Sequence, residues 1–205
     1  MWDVKGGFQN VRELEVMNRL DMSEQGKRWK RWLRSFFRER SFSIEWDGQT
    51  RGIGKTNVGV LQGSPLSPVI FLLFMAPILE EMEVKLKEEL QTDIEITSYV
   101  DDILVCLLDN SGIANIKELL QQANRVVNEV AIKHNLSLQL DKHEEIVFNP
   151  GGKGSGKRKK RTEIERVKWL GIIIDETLDF DYHCKSRIDK ARKLLGALSS
   201  IGSSQ

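Results

Sequence analysis

Two adjacent carboxylates, Asp101 and Asp102, sit between two apolar runs, Ile94-Glu95-Ile96-Thr97-Ser98-Tyr99 and Ile103-Leu104-Val105-Cys106-Leu107-Leu108. Runs of this length, rich in β-branched residues, predict the two strands of a hairpin with the acids at its tip. Like charges there repel, and burial raises a carboxyl pKa, so the arrangement costs stability unless a cation is held. Hard carboxylate oxygens suit Mg²⁺ or Mn²⁺. A solvated acidic turn is the plain alternative, because Asp suits turns. Asp3 is the next candidate. It closes a short would-be strand and precedes Lys5-Gly6-Gly7, a tight turn, with Phe8 after it. Phosphoryl transfer assisted by two metals about 3.5–4 Å apart needs carboxylates from two converging elements. Asp3 and Asp101, each at the end of a strand in one sheet, are the natural pair; alone, Asp3 reads as a turn residue.

A third stretch, "GVLQGSPLSPVIF", leads a Gly/Pro/Ser loop straight into a helix. Gly63, beside Gln62, lets a backbone approach a ligand closely. A helix N-terminus favours an anionic neighbour. Ser67-Pro68 predicts the helix start, with Ser as N-cap and Pro at N1, and the helix runs towards Glu89. An ordinary loop before a capped helix would look the same. Taken with the acidic hairpin that follows, however, the chain offers one element to cradle a base-paired nucleotide and one to hold metal.

The elements around these residues are mixed. Val11, Leu14, Met17 and Leu20 recur at helical intervals. Trp29, Trp32, Leu33, Phe36 and Phe37 mark one helical face predicted to pack into a core, with Lys30, Arg31, Arg34 and Arg38 as the polar remainder. "SFSIEWDGQTRGIG" predicts a hairpin with an Asp-Gly turn. A long helix is predicted from about Ser111 to His134. "LSLQLDKHEEIVF" reads as strand, turn, strand, "VKWLGIIID" as a further strand, and "YHCKSRIDKARKLLGALSSI" as a last amphipathic helix. The basic stretch Gly151 to Arg161 has no apolar face and predicts a linker.

The 205 residues suit one domain, and a net charge of +1 with 30% charged residues neither favours nor excludes a polyanionic partner. Two cysteines argue against a disulfide framework. Cys106, within an apolar run, is expected to be a buried thiol in a reducing compartment. The run Val69 to Leu79 is too short to span a bilayer, and "MWDVKGGFQN" is no secretory signal. An intracellular protein, nuclear or cytoplasmic, without membrane contact is expected.

In order along the chain, "DVKGGFQNV", "GVLQGSPLSP", "YVDD", "DKHEEIVF" and "VKWLGIIIDETLDFDYHCKSRIDKA" resemble the successive motifs of reverse transcriptases, most like those of non-LTR (LINE-type) retrotransposons. The resemblance implies an α+β fold: a polymerase right-hand palm, an antiparallel sheet with helices packed on one face, plus the start of a thumb, fingers missing. It implies a palm over residues 1–150, a basic flexible loop over 151–163, and a hairpin strand with a first thumb helix over 164–205. By the same resemblance Asp3 and Asp101 bind two Mg²⁺ (or Mn²⁺) ions and Asp102 supports them. Phe8 lies under the incoming sugar. Gln62 and Gly63 pack near the incoming nucleotide, and Tyr99 and Val100 touch the primer end. Lys142 is a candidate to protonate the leaving pyrophosphate, with a solvated turn lysine as the alternative. RNA template, DNA primer and dNTP are the implied partners.

Gln9 and Gly7 stand where the family usually has Asp and Ala. With so little sequence before Asp3, the expectation is a fragment that extends primers poorly alone. Two other readings stay open: an inactive remnant that binds RNA or protein, and an intron-type reverse transcriptase.

Overall fold

The computed structural model describes residues 1–20, 23–56, 59–108, 113–148 and 165–202. The predicted basic loop therefore lies outside the described residues. The chain divides into two compact units, Met1–His143 and Glu144–Gln205. Among the described residues no helix is long and apolar enough to cross a membrane.

The first unit begins with β1 (Trp2–Asp3) and three helices, α1 (Gly7–Asn10), α2 (Glu13–Arg19) and α3 (Glu24–Phe37). The hairpin β2 (Arg40–Trp46) and β3 (Gln49–Thr56) follows, then the long α4 (Ser67–Leu90), the strands β4 (Asp93–Tyr99) and β5 (Asp102–Leu108), and α5 (Ile113–Lys133). Strands order β1-β5-β4, all antiparallel, in a three-stranded sheet. The fold is α+β, as expected, and the strand carrying Asp3 joins the strands of the acidic hairpin.

Sequence period explains which face is covered. In the hairpin register Ile94 faces Leu107, Ile96 faces Val105 and Ser98 faces Ile103. Side chains alternate across a strand, so these residues share one face, and Ile94 and Ile103 are buried. α4 packs on β4, and α5 packs on α4. The first half of α4 is apolar nearly all round, burying Ile70, Phe71, Phe74, Met75 and Ile78. After Glu80 only the stripe Met82, Leu86, Leu90 stays buried. α5 answers with Leu119, Ala123, Val126, Val127 and Val130 at helical spacing. The opposite sheet face carries Tyr99, Thr97 and Cys106, all exposed. Cys106 was expected in the core; period 2 puts it on the open face, one residue past the inward Val105.

Glu81 of α4 ties the outer edges of the two long helices, 2.7 Å from Lys133 Nζ and 2.9 Å from His134 Nε2. Hydrogen bonds from Lys133 and then His134 hold its pKa down from 4.5 to about 2. The folded-state pKa lies below the unfolded one, so this contribution is complete above about pH 4.5 and is lost as pH falls towards 2. Glu81→Gln is expected to cost about 0.5–1 kcal/mol at neutral pH, a modest value because the pair is partly solvated. Denaturant titrations should show the difference closing as pH falls through that interval.

The hairpin with its Asp-Gly turn follows the sequence reading, and other elements correct it. α3 buries Leu33 and Phe37, but Trp29 and Trp32 are exposed. The β2–β3 turn at Asp47-Gly48 has both φ positive, 53° and 69°, the pattern favoured in two-residue hairpins. α4 begins with Ser67 inside the helix and Leu66 at the N-cap, and no side chain caps it. The Ser67 hydroxyl instead donates to the Leu61 carbonyl at 2.5 Å. "LSLQLDKHEEIVF" is not two strands: Leu138 makes one bridge to Val4, and a short 3₁₀ turn spans Leu140–Lys142.

In the second unit, "VKWLGIIID" is two strands, β6 (Arg166–Trp169) and β7 (Ile172–Asp175), joined at Leu170-Gly171, again both with positive φ. α6 (Asp181–Gly202) follows, with Ile188, Leu194, Leu195 and Leu198 exposed.

Candidate active site

The acidic hairpin turns in two residues. Tyr99 pairs with Asp102, which leaves Val100 and Asp101 as the turn. Val100 has φ 56°. A β-branched residue resists that region, and such strain costs on the order of 1–3 kcal/mol where surrounding structure enforces it. Here the half-buried Val100 side chain packs against the core. The turn thus puts Asp101 at the exposed tip and Asp102 partly sheltered at the strand start.

β1 brings the third carboxylate. Asp3 pairs with Asp102 in register, and the Val4 N–H donates to the Asp101 carbonyl at 2.9 Å. Burial, then the Asp101 and Asp3 carboxylates, push the Asp102 carboxyl above its ordinary pKa, while the Lys142 ammonium pulls it down. Because that folded-state pKa exceeds the unfolded one, ionising Asp102 costs stability as pH rises through the interval between them. The chemistry of this donor set, hard oxygens that repel one another, fits a divalent cation. Lys142 Nζ lies 3.2 Å from Asp3 Oδ2. Among the described residues no group of three or more His, Cys, Asp and Glu side chains stands ready as a metal ligand set.

The loop before α4 is knitted to the segment after Asp3. The Val60 N–H donates to the Phe8 carbonyl at 2.8 Å. Gly59 has φ 64°, and a Cβ there would stand 2.4 Å from the Phe8 carbonyl oxygen and 2.6 Å from Gln9 Cα, so only glycine allows the approach. Phe8 meets Phe71 of α4 edge to face, with ring centroids 5.4 Å apart. Gly7 lies under the same Phe71 ring: a Cβ would come within 2.9 Å of it and 3.6 Å of Asp101 Cβ. Gly7, in the position the family usually gives to Ala, thus makes room for Phe71.

The structure therefore brings Asp3, Asp101, Asp102 and Lys142 to one strand end without closing the carboxylates into a ready ligand set, and packs Gly7, the neighbour of Phe8, against Asp101. Gln62 and Gly63 are exposed, with φ 92° at Gly63 and open space around it; Tyr99 is exposed at the hairpin end. Sequence reasoning passed over Gly59 and Phe71 as positioning residues, and it gave Ser67 the N-cap in place of its bond to the Leu61 carbonyl. Only Gly59 left a visible signal, a glycine immediately before "VLQGSP".

Residues 1–174 match the family described as reverse transcriptase (RNA-dependent DNA polymerase), and the chain belongs to that family. Its relatives place it with the non-LTR, LINE-type retrotransposon enzymes. An RNA-directed DNA polymerase from mobile element jockey of Drosophila funebris is 30% identical over 182 residues, 82% of this chain and 19% of the relative. The polymerase of the same description from Drosophila melanogaster is 27% identical over 157 residues, 74% of this chain and 17% of the relative. The chain spans less than a fifth of the length of these relatives.

Proposed function

We propose that the chain is the palm and first thumb segment of an RNA-directed DNA polymerase that joins dNTPs to a primer 3′-OH on an RNA template. The palm would extend over residues 1–150, the basic loop over 151–163 and the thumb start over 164–205. The observation that carries the reading is the register of Asp3 against Asp102 beside Asp101, one carboxylate from β1 and two from the tip of the non-contiguous β4–β5 hairpin.

Asp3 and Asp101, supported by Asp102, would hold two Mg²⁺ or Mn²⁺ ions. When bound, the ions supply charge neutralisation at the attacking and leaving oxygens. The rest falls to the chain. The Phe8 ring, held from behind by Phe71, is a rigid floor for the incoming sugar and a barrier to a 2′-OH. Gln62 and Gly63, exposed on a loop anchored at Val60 and Ser67, can reach a nucleotide without a side chain in the way at Gly63. Tyr99 and Val100 present the hairpin end to the primer terminus. Lys142 stands at the edge of the carboxylates, where its ammonium can give a proton to departing pyrophosphate. Most of the rate enhancement in such a site comes from positioning and charge stabilisation.

The test is incorporation of labelled dNTPs on a primed RNA template. The expected result for this chain alone is slow incorporation that requires Mg²⁺ or Mn²⁺, stops with chelator and discriminates against rNTPs. Incorporation that persists in chelator would contradict the reading.

A further inference from the structure

Asp3 already carries a cation. The Lys142 ammonium sits 3.2 Å from its Oδ2, and the approach is built into the backbone. The Lys5 N–H donates to the Ser137 carbonyl at 2.7 Å, the Gln139 N–H to the Asp3 carbonyl at 2.9 Å, and Leu138 bridges to Val4 between them. The segment before Lys142 therefore runs along the free edge of β1, opposite β5. The 3₁₀ turn closes with the Lys142 N–H on the Gln139 carbonyl at 3.0 Å, and the His143 ring then lies 4.9 Å from the Trp2 ring. Lys142 is delivered to Asp3 from both sides of the turn.

We infer that Lys142 is the counter-ion of the carboxylate cluster when no divalent ion is bound, and that it competes with the ion for Asp3. This rests on the metal-site reading above. An oxygen engaged by an ammonium is not free as a metal ligand, and the lysine charge lowers the affinity of the site for any cation. The pair itself is weak: the Lys142 side chain is 58% exposed, and exposed pairs contribute little. A divalent ion with twice the charge displaces it readily. On leaving Asp3, Lys142 remains tethered beside the site as a free cation, where negative charge on a departing phosphate would appear. Between turnovers it keeps three like charges from standing uncompensated.

Manganese binding measures the competition directly. Free Mn²⁺ is followed by its paramagnetic resonance while the protein is titrated, with Asp101→Asn as the background. Lys142→Met is expected to tighten Mn²⁺ binding roughly twofold to fivefold, the range an exposed pair can supply. Lys142→Arg keeps the charge and should stay near wild type. In chelator Lys142→Met should melt below wild type, and the difference should disappear at saturating Mn²⁺. A lysine with a merely structural role would not tighten metal binding. Unchanged or weaker Mn²⁺ binding in Lys142→Met, with Asp101-dependent binding intact in wild type, overturns the inference and leaves the metal site standing. Absence of any Asp101-dependent Mn²⁺ binding in wild type overturns both.

Discussion

Phe71→Ala is expected to destabilise the protein by about 3–5 kcal/mol, the cost of emptying a large aromatic from a closed core. Phe71 is fully buried near the start of α4. Its ring lies over Gly7, edge to face against Phe8, and near Phe74 with centroids 6.2 Å apart. No small movement of a neighbour refills that space, because Gly7 is fixed between the turn at Gly6 and the Phe8 carbonyl's bond to Val60. The loss should reach the site as well, since the floor under Phe8 disappears. Phe71→Leu keeps most of the volume and should cost about 1–1.5 kcal/mol. Chemical denaturation of both variants measures the difference, and equal stability of Phe71→Ala and wild type would show that this contact does not hold the helix to the strand end.

The acidic hairpin was legible because its local rules agree: two strand-like runs, a two-residue turn and an alternation that sorts Ile94, Ile96 and Ile103 inward. Asp3 was legible only through the company of that hairpin, since a two-residue strand has no periodicity. Its pairing with Asp102 depends on backbone bonds that no pattern in "MWDV" announces. The Ser67 misreading has a definite cause. Ser-Pro is a common helix start, but the loop folds back so that Leu61 takes the hydroxyl, and the helix begins without a side-chain cap. "LSLQLDKHEEIVF" alternates like a strand, yet β1 offers it only a two-residue edge, and after Leu138 the chain turns. Leu170 is apolar and continues the strand pattern, but it and Gly171 both take a positive φ, and one strand becomes two. Trp29 and Trp32 follow the helical spacing of Leu33 and Phe37 but lie at the margin of the buried stripe, and spacing alone does not set its width.

Asp101→Asn tests most directly the claim that carboxylates from separate strands form one metal-dependent polymerase site. The exchange conserves shape, and Asn suits a turn. The backbone bond from Val4 to the Asp101 carbonyl does not involve the side chain. Losing a like charge beside Asp102 relieves part of what raises its pKa, so the variant should melt no lower than wild type in chelator. What it loses is charge stabilisation of the reacting phosphate, for which single-group deletions cost about 10²–10³-fold and a metal ligand belongs at the upper end or beyond. The measurement is RNA-templated primer extension by wild type and Asp101→Asn at equal concentration and saturating Mg²⁺, with melting curves on the same preparations. The account predicts a folded variant whose extension rate falls by about 10³-fold or more. A folded Asp101→Asn protein that extends primers at the wild-type rate would contradict it.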